Sequence, residues 1–178
     1  ELGERPVSEK KRRRVRRARG GVARGAEAPL SVNYRTPREI MAEAEPVVRA
    51  AIPDANVPTS VRSTGVPVAH GAVADLDAVL GAWLAEHADG TACVIGATEP
   101  SGPSGSSGEE SDGRVGDVGG EGERSARVRW LTPETAKGLE FDLVVLVEPQ
   151  AFGDGVEGAV DRYVAMTRAT QRLVVLEG

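Results

Sequence analysis

The chain has 178 residues, the length of one domain with an appendage. Hydrophobic residues make up 40% but aromatics only 3%, so the core is expected to be aliphatic, and a net charge of −5 makes the whole mildly acidic. No apolar run approaches the ~18 residues of a membrane span and no signal-peptide pattern opens the chain, while one cysteine, Cys93, and two histidines exclude a disulfide framework and make a structural metal site improbable.

Residues 1–28 open at Glu1 rather than Met, as expected of an excerpt or a processed product, and contain Lys10-Lys11-Arg12-Arg13-Arg14-Val15-Arg16-Arg17. Residues 1–24 carry a balance of +7 and the remainder −12, so a basic arm is attached to an acidic body. Like charges at this density repel, and the arm lacks apolar periodicity. It is expected to be disordered, either a solvated tail or a binder of phosphates by counterion release.

Order is expected to begin with a short strand, Leu30 to Tyr34. Thr36-Pro37-Arg38-Glu39 predicts a helix start, with Thr36 as N-cap, Pro37 at the first helical position and Glu39 completing a capping box. That helix would run to Ala51, bent at Pro46. Residues 54–70 read as extended segments and turns. A second helix, Val73 to His87, places Leu76, Leu80, Trp83 and Leu84 on one stripe, and Gly90 stops it. Thr91 to Gly96 is a continuous apolar strand, the pattern of a strand covered on both faces. Residues 101–125 hold fourteen Gly or Ser and read as a flexible insertion.

Structure is expected to resume with a strand from Ala126 to Leu131, a helical turn from Pro133 closed by Gly138, and a second fully apolar strand, Leu143 to Val147. A helix from about Val156 to Thr170 and a last strand, Arg172 to Leu176, complete the pattern. Strands alternating with helices predict an α/β fold with a mostly parallel sheet and helices on both faces. Ligands in such folds are expected beyond the carboxyl ends of the strands.

Three polar segments stand out: Asn33 to Thr36, Thr132 to Phe141 and Tyr163 to Ala169. Arg35 follows a strand and can project towards an anion. Arg168 continues the line Val156, Val160, Val164 at spacing four, an inward face where a charge needs a partner. Gly138 allows a tight reversal that fixes Glu140 near the start of the next strand. Each also has a purely structural reading: Arg35 paired with Glu39, Arg168 capping its own helix, Glu140 solvated in a turn.

Asn33-Tyr34-Arg35-Thr36-Pro37-Arg38-Glu39-Ile40, Thr132-Pro133-Glu134-Thr135-Ala136-Lys137-Gly138-Leu139-Glu140-Phe141-Asp142 and Tyr163-Val164-Ala165-Met166-Thr167-Arg168-Ala169 resemble, in order, motifs IV, V and VI of UvrD/Rep-type superfamily 1 helicases. The wording of motif V and the ending Thr167 to Leu173 look closest to the HelD-like branch, motor ATPases that act on bacterial RNA polymerase. The resemblance implies the C-terminal RecA-like domain of such a motor over residues 29–178, a P-loop NTPase fold without a P-loop. It implies ATP as cofactor, with Mg²⁺ held by an N-terminal Walker A/B domain missing from this chain. It makes Arg35 and Arg168 the catalytic γ-phosphate arginines, with Gly138 and Glu140 completing the nucleotide side, and Thr132 and Lys137 the nucleic-acid contacts. It further implies DNA or RNA polymerase as the object of the motor; the cysteine usage separately leads to an expected reducing, cytoplasmic setting, and the absence of a long apolar run to no membrane partner.

A phosphate loop needs Gly-Lys-[Ser/Thr]. The three lysines, Lys10, Lys11 and Lys137, none of them after a glycine, leave the chain without one. Glu148, after the Leu143–Val147 run, is expected to be a strand-end residue rather than a Walker B carboxylate. The chain is therefore expected not to hydrolyse ATP alone. Two departures from the family pattern bear on its partner. Glu134 stands where DNA-translocating members commonly carry a histidine, and a carboxylate there repels phosphate, which favours the polymerase-acting branch. Gly158 and Ala159 stand where motif VI usually has two basic residues, with Arg162 displaced. The alternative functions are a non-catalytic module binding RNA polymerase or nucleic acid, and a bare nucleic-acid binder driven by the arm. The acidic body and its six aromatics argue against a stacking platform for the latter.

Overall fold

The computed structural model describes residues 32–98 and 126–178. The readings of a basic arm over residues 1–28 and a flexible insertion over 101–125 lie outside the described residues, as do Leu30 and Ser31. The elements in chain order are β1 (Val32–Asn33), α1 (Arg38–Ala51), β2 (Thr59–Ser60), β3 (Ala69–Ala72), α2 (Leu76–Glu86), β4 (Ala92–Ile95), β5 (Val128–Leu131), β6 (Phe141–Val147), α3 (Gly155–Met166) and β7 (Ala169–Glu177). Short 3₁₀ turns at Val73–Asp75 and Pro149–Phe152 lead into α2 and follow β6.

Five strands form one sheet in the order β3-β7-β6-β4-β5, and every neighbouring pair is parallel. β1 and β2 form a separate two-stranded parallel ribbon. The expected α/β class is what the structure shows. All four residues of β4 are buried because alternate side chains enter two different cores. Cys93 and Ile95, with Val144 and Leu146 of β6 and Leu173 and Val175 of β7, meet Ile40 and Ala44 of α1 and Ala165 and Met166 of α3. Ala92 and Val94, with Leu143, Val145, Val174 and Leu176, meet Leu80, Trp83 and Leu84 of α2. Burial pushes the Cys93 thiol up to about 12, so it is held as the uncharged thiol.

α2 begins three residues later than expected, at Leu76, because Val73–Asp75 form a 3₁₀ turn, and it ends at Glu86. The other two helices also differ from expectation at a boundary, each for a visible reason. α1 is capped by Pro37, not Thr36, and no side chain bonds its cap. The Thr36 hydroxyl is directed instead to the Thr167 carbonyl at 3.5 Å, in a fully buried position. Glu39 does not close a capping box either; its carboxylate accepts from the Ser63 hydroxyl and from the backbone N–H groups of Thr64 and Gly65. α3 ends at Met166, and Thr170 already belongs to β7. Its buried residues are Gly158, Ala159, Ala165 and Met166, so the inward face is the small-residue one, whereas Val156 is 52% exposed. Arg168 thus lies in the α3–β7 turn, and the valine line does not place it.

The small residues of α3 serve a close approach. A Cβ on Gly158 would lie 1.9 Å from the Gly153 carbonyl oxygen, a backbone atom. Arg162, one turn on, donates to that same oxygen at 2.9 Å and ties the preceding loop to the helix. A basic side chain at 158 has no room. Gly158→Ala is expected to destabilise the fold by about 1–3 kcal/mol through overpacking, measured as a lower urea midpoint with an unchanged slope.

Candidate functional site

Asn33 ends β1 and turns the chain locally. Its side-chain oxygen accepts from the backbone N–H groups of Arg35 at 2.9 Å and Thr36 at 3.1 Å, an Asx-type turn that throws Arg35 outward while Thr36 is drawn in. The Ser60 hydroxyl, on the neighbouring strand β2, donates to the Thr36 carbonyl at 2.6 Å. The Arg62 guanidinium donates to the Arg35 carbonyl at 3.1 Å. The ribbon β1–β2 thereby fixes the backbone on both sides of Arg35.

The second segment makes one helical turn. Thr132 and Thr135 exchange bonds, backbone N–H to hydroxyl in each direction, and the Ala136 N–H donates to the Thr132 carbonyl at 3.0 Å. Gly138 ends the turn at φ +81°, a left-handed conformation open to glycine without steric cost. The chain then delivers Glu140 to the start of β6. Phe141 N–H donates to the Arg168 carbonyl at 3.0 Å, which sets the third segment directly against the second.

These turns bring Arg35, Glu140 and Arg168 together. Arg35 Nη1 lies 2.5 Å from Glu140 Oε1 across 105 residues of sequence, with both side chains half-exposed. Arg35 therefore pairs with Glu140 and not with Glu39, and Glu140, half-exposed, is ion-paired as well as solvated. Arg168 donates from Nε to the Val164 carbonyl at 3.0 Å, from Nη1 to the Leu139 carbonyl at 3.4 Å and from Nη2 to the Thr167 hydroxyl at 3.4 Å. The first of these bonds is the helix-capping role anticipated for it. It fixes the guanidinium in place rather than using it up, because a guanidinium has five N–H donors. Burial lowers the Arg168 pKa, and the nearby Arg35 charge lowers it further; Glu140 and Tyr163 oppose that shift. The Tyr163 hydroxyl is shifted upward, by burial first and then by the Glu45 carboxylate.

The cluster lies at the amino ends of β6 and β7, not beyond the carboxyl ends of the strands. Arg168 precedes β7 and Glu140 precedes β6, so the reversals into these strands, rather than the exits from them, carry the charged groups. Thr132 sits at the other edge: Leu131 is level with Ile95 and Leu146, six residues along from Glu140 in register terms. At ~3.3 Å per residue that is roughly 20 Å. Lys137 Nζ lies 3.6 Å from both Glu134 and Asp161, so two carboxylates already answer its charge. A Cβ added at Gly138 would meet nothing within 4 Å, so glycine is required there for its φ of +81° and not for space. Glu148 is a strand-end residue at φ +47° whose N–H donates to the Leu176 carbonyl at 2.8 Å.

Three features were not singled out in the sequence. Tyr34, which precedes Arg35 in the chain, is 75% exposed. Asn33 is the turn-maker, a signal available from its side-chain chemistry. Asp142, directly after the cluster, accepts from Thr91 N–H and hydroxyl at 3.0 and 2.9 Å and from Gln171 at 2.7 Å, which pins β6 to the chain entering β4 and to β7. Despite burial, the bonds from Thr91, Gln171 and Thr170 keep the Asp142 pKa below its usual value.

No family model matches the chain, and no curated protein matches it in sequence. Among solved structures it is similar to the C-terminal domain of a "possible DNA helicase" from Lactobacillus plantarum WCFS1, with a TM-score of 0.52 and 16% identity over 82% of this chain and 87% of that one. The likeness is one of fold. Together with the parallel sheet it establishes a helicase-C-terminal-domain-like α/β architecture for the described residues. No helix among them is long and apolar enough to cross a membrane.

Two stability measurements follow from this geometry. The Ser63 hydroxyl and the backbone N–H groups hold the Glu39 carboxyl at about 2 instead of 4.5. A depressed folded-state pKa gives stability that is present above 4.5 and lost as the pH falls through about 2, so Glu39→Gln should flatten acid unfolding across that window. Carboxyl NMR titration checks the value directly. At the cluster, Arg35→Ala should cost at most about 1 kcal/mol in denaturant unfolding, because its ion pair is half-exposed.

Proposed function

We propose that this chain is the ATP-site-completing half of a UvrD/Rep-type motor, supplying Arg35 and Arg168 to the γ-phosphate of a nucleotide held by a separate Walker A/B domain. The observation that carries this reading is the charge count within the Arg35–Glu140–Arg168 cluster itself. Two guanidinium groups face one carboxylate, each raising the cost of the other, and the surplus positive charge favours an anion. A triphosphate fits that demand, since arginine presents donors in a fork matched to phosphate oxygens.

Bound ATP with Mg²⁺ would supply the transferable phosphoryl group. The residues of this chain would hold and orient it. Arg168, half-buried and fixed by three hydrogen bonds, is the preorganised cation. Arg35, half-exposed and paired with Glu140, is the one able to swing from carboxylate to phosphate. Glu140, released from that pair, is left as an acceptor for sugar hydroxyl groups, and Gly138 sets its position. Preorganised donors act where charge develops, and an arginine finger is typically worth 10³–10⁵ in rate, about 4–7 kcal/mol.

The object moved is read as RNA polymerase, in the manner of the HelD-like branch, rather than DNA. Lys137 is engaged by Glu134 and Asp161, so the Thr132–Lys137 turn offers a phosphate backbone no unpaired lysine, and the acidic body repels it. Thr132 and Lys137 would then face a protein surface.

Alone, the chain is expected to show no ATP turnover above background. Combined with a Walker A/B domain, turnover measured by phosphate release should fall by about 10³ or more for Arg35→Ala and Arg168→Ala, with nucleotide affinity falling much less. Robust turnover by the chain alone, or full activity in the combined Arg168→Ala protein, would overturn the reading. In the same assay RNA polymerase, and not single-stranded DNA, should stimulate turnover.

A further inference from the structure

The strand order defines a second crevice, at the opposite edge of the sheet from the charged cluster. From β4 the chain moves outward to β5, and from β6 it moves the other way to β7, so the direction of winding reverses between β4 and β6. In open parallel α/β sheets such a switch point leaves a crevice beyond the carboxyl ends of the two strands, and ligands bind there. Here it is a cavity of about 360 Å³ on the α2 side of the sheet, within the usual range for small-molecule sites. Val73, Leu76, Val94 and Val147 give it apolar walls, and Trp130 and Glu148 are its aromatic and its charged residue.

Those last two stand out from their surroundings. Trp130 is level with Val94 and, two residues on from Val128, shares the α2-facing side of β5. It is nevertheless 40% exposed, whereas Trp83, in the core under α2, is 4% exposed. Glu148 is the one non-glycine residue at positive φ among the described residues, a conformation that L side chains rarely adopt and that clusters at functional positions. Leu143, Val145 and Val147 face α2, so alternation in an unbroken strand would turn the next residue towards α1 and α3. With the left-handed turn, Glu148 Oε1 lies on the α2 side: a Cβ on Gly178 would be 2.9 Å from it and 4.0 Å from Val73 Cγ2.

The lining sets the chemistry of an occupant. No lysine, arginine or histidine is among the described lining residues, so an anion would meet only the Glu148 carboxylate and be repelled. Glu148 is in no ion pair among the described residues, so a cation reaching it displaces none. Trp130 is level with Val145 across β4, which puts Glu148 two strands over and three residues further along. At ~4.8 Å per strand and ~3.3 Å per residue their Cα positions are roughly 14 Å apart. Side chains reaching into the cavity from both ends narrow that gap to the length of a ring joined to an amine by a two-carbon chain. We propose that the crevice beyond β4 and β6 binds a small organic monocation with an aromatic ring, an arylalkylamine, its ring against the Trp130 indole and its ammonium on Glu148. The site lies at the other edge of the sheet from the Arg35–Glu140–Arg168 cluster and does not depend on the function proposed for it.

The test uses the full 178-residue chain at ~0.15 M salt, which screens non-specific attraction to the acidic body. NMR follows the Trp130 indole N–H and the amides around Gly96 and Glu148 during titration with phenethylamine, phenethyl alcohol, hydrocinnamate and butylamine. Phenethylamine should shift these signals to saturation. The other three, which lack the charge, reverse it or lack the ring, should each bind at least about tenfold more weakly. Glu148→Gln should erase the preference for phenethylamine over phenethyl alcohol, and Trp130→Leu the preference over butylamine. Should either variant fail to fold, the ligand series on the unaltered chain decides alone. No shifts at these residues at ~10 mM, equal binding of the alcohol or of butylamine, or shifts spread over the acidic surface instead of the cavity would each overturn the proposal.

Discussion

Two arginines that arrive from opposite ends of the described chain converge near one carboxylate, which is bonded to Arg35 and acts on Arg168 only through space, and that convergence governs how the amino edge of the sheet is built. Arg35 comes from the β1–α1 turn and Arg168 from the α3–β7 turn, yet each feels the other's charge. Like charges converge only where the backbone compels them. Here the compulsion comes from neutral groups: the Asn33 side chain turning the backbone, Thr36 buried against the Thr167 carbonyl, and Phe141 N–H bonded to the Arg168 carbonyl. The charged groups are passengers on a neutral hydrogen-bonded frame. This division of labour lets a cluster be electrostatically unfavourable in itself and still be held in place.

The sheet supplies the rigidity behind that frame. β6 is its central strand and β7 the interior strand beside it, both with apolar side chains on both faces, and the reversals that carry Glu140 and Arg168 lead directly into them. Asp142 adds a polar lock, joining the chain ahead of β4 to β6 and β7 just past the cluster. A displacement of either arginine would have to disturb a densely packed core, which deforms reluctantly.

Much of this was legible in the sequence, and the failures share a cause. The apolar runs Ala92–Ile95 and Leu143–Val147 are long enough, and bounded sharply enough, to announce strands covered on both sides, and the parallel α/β class followed from them. The convergence of Arg35 and Arg168 was suggested by motif wording, not by periodicity. Thr36 was misjudged as a cap because local pattern cannot reveal that a hydroxyl will be claimed by a carbonyl 131 residues away. The inward face of α3 was misjudged because valines outrank glycine and alanine in any hydrophobicity pattern, whereas a close backbone approach selects the smallest side chains.

The burial of Cys93 has a practical consequence. The chain carries a single sulfhydryl, lodged in the central layer with its thiolate form strongly disfavoured. Cys93 is accordingly expected to resist alkylating dyes while the chain is folded, so a cysteine placed at an exposed position such as Tyr34 should be the one reactive handle on the molecule. Spectroscopic reporters can be attached there without first stripping anything from the interior.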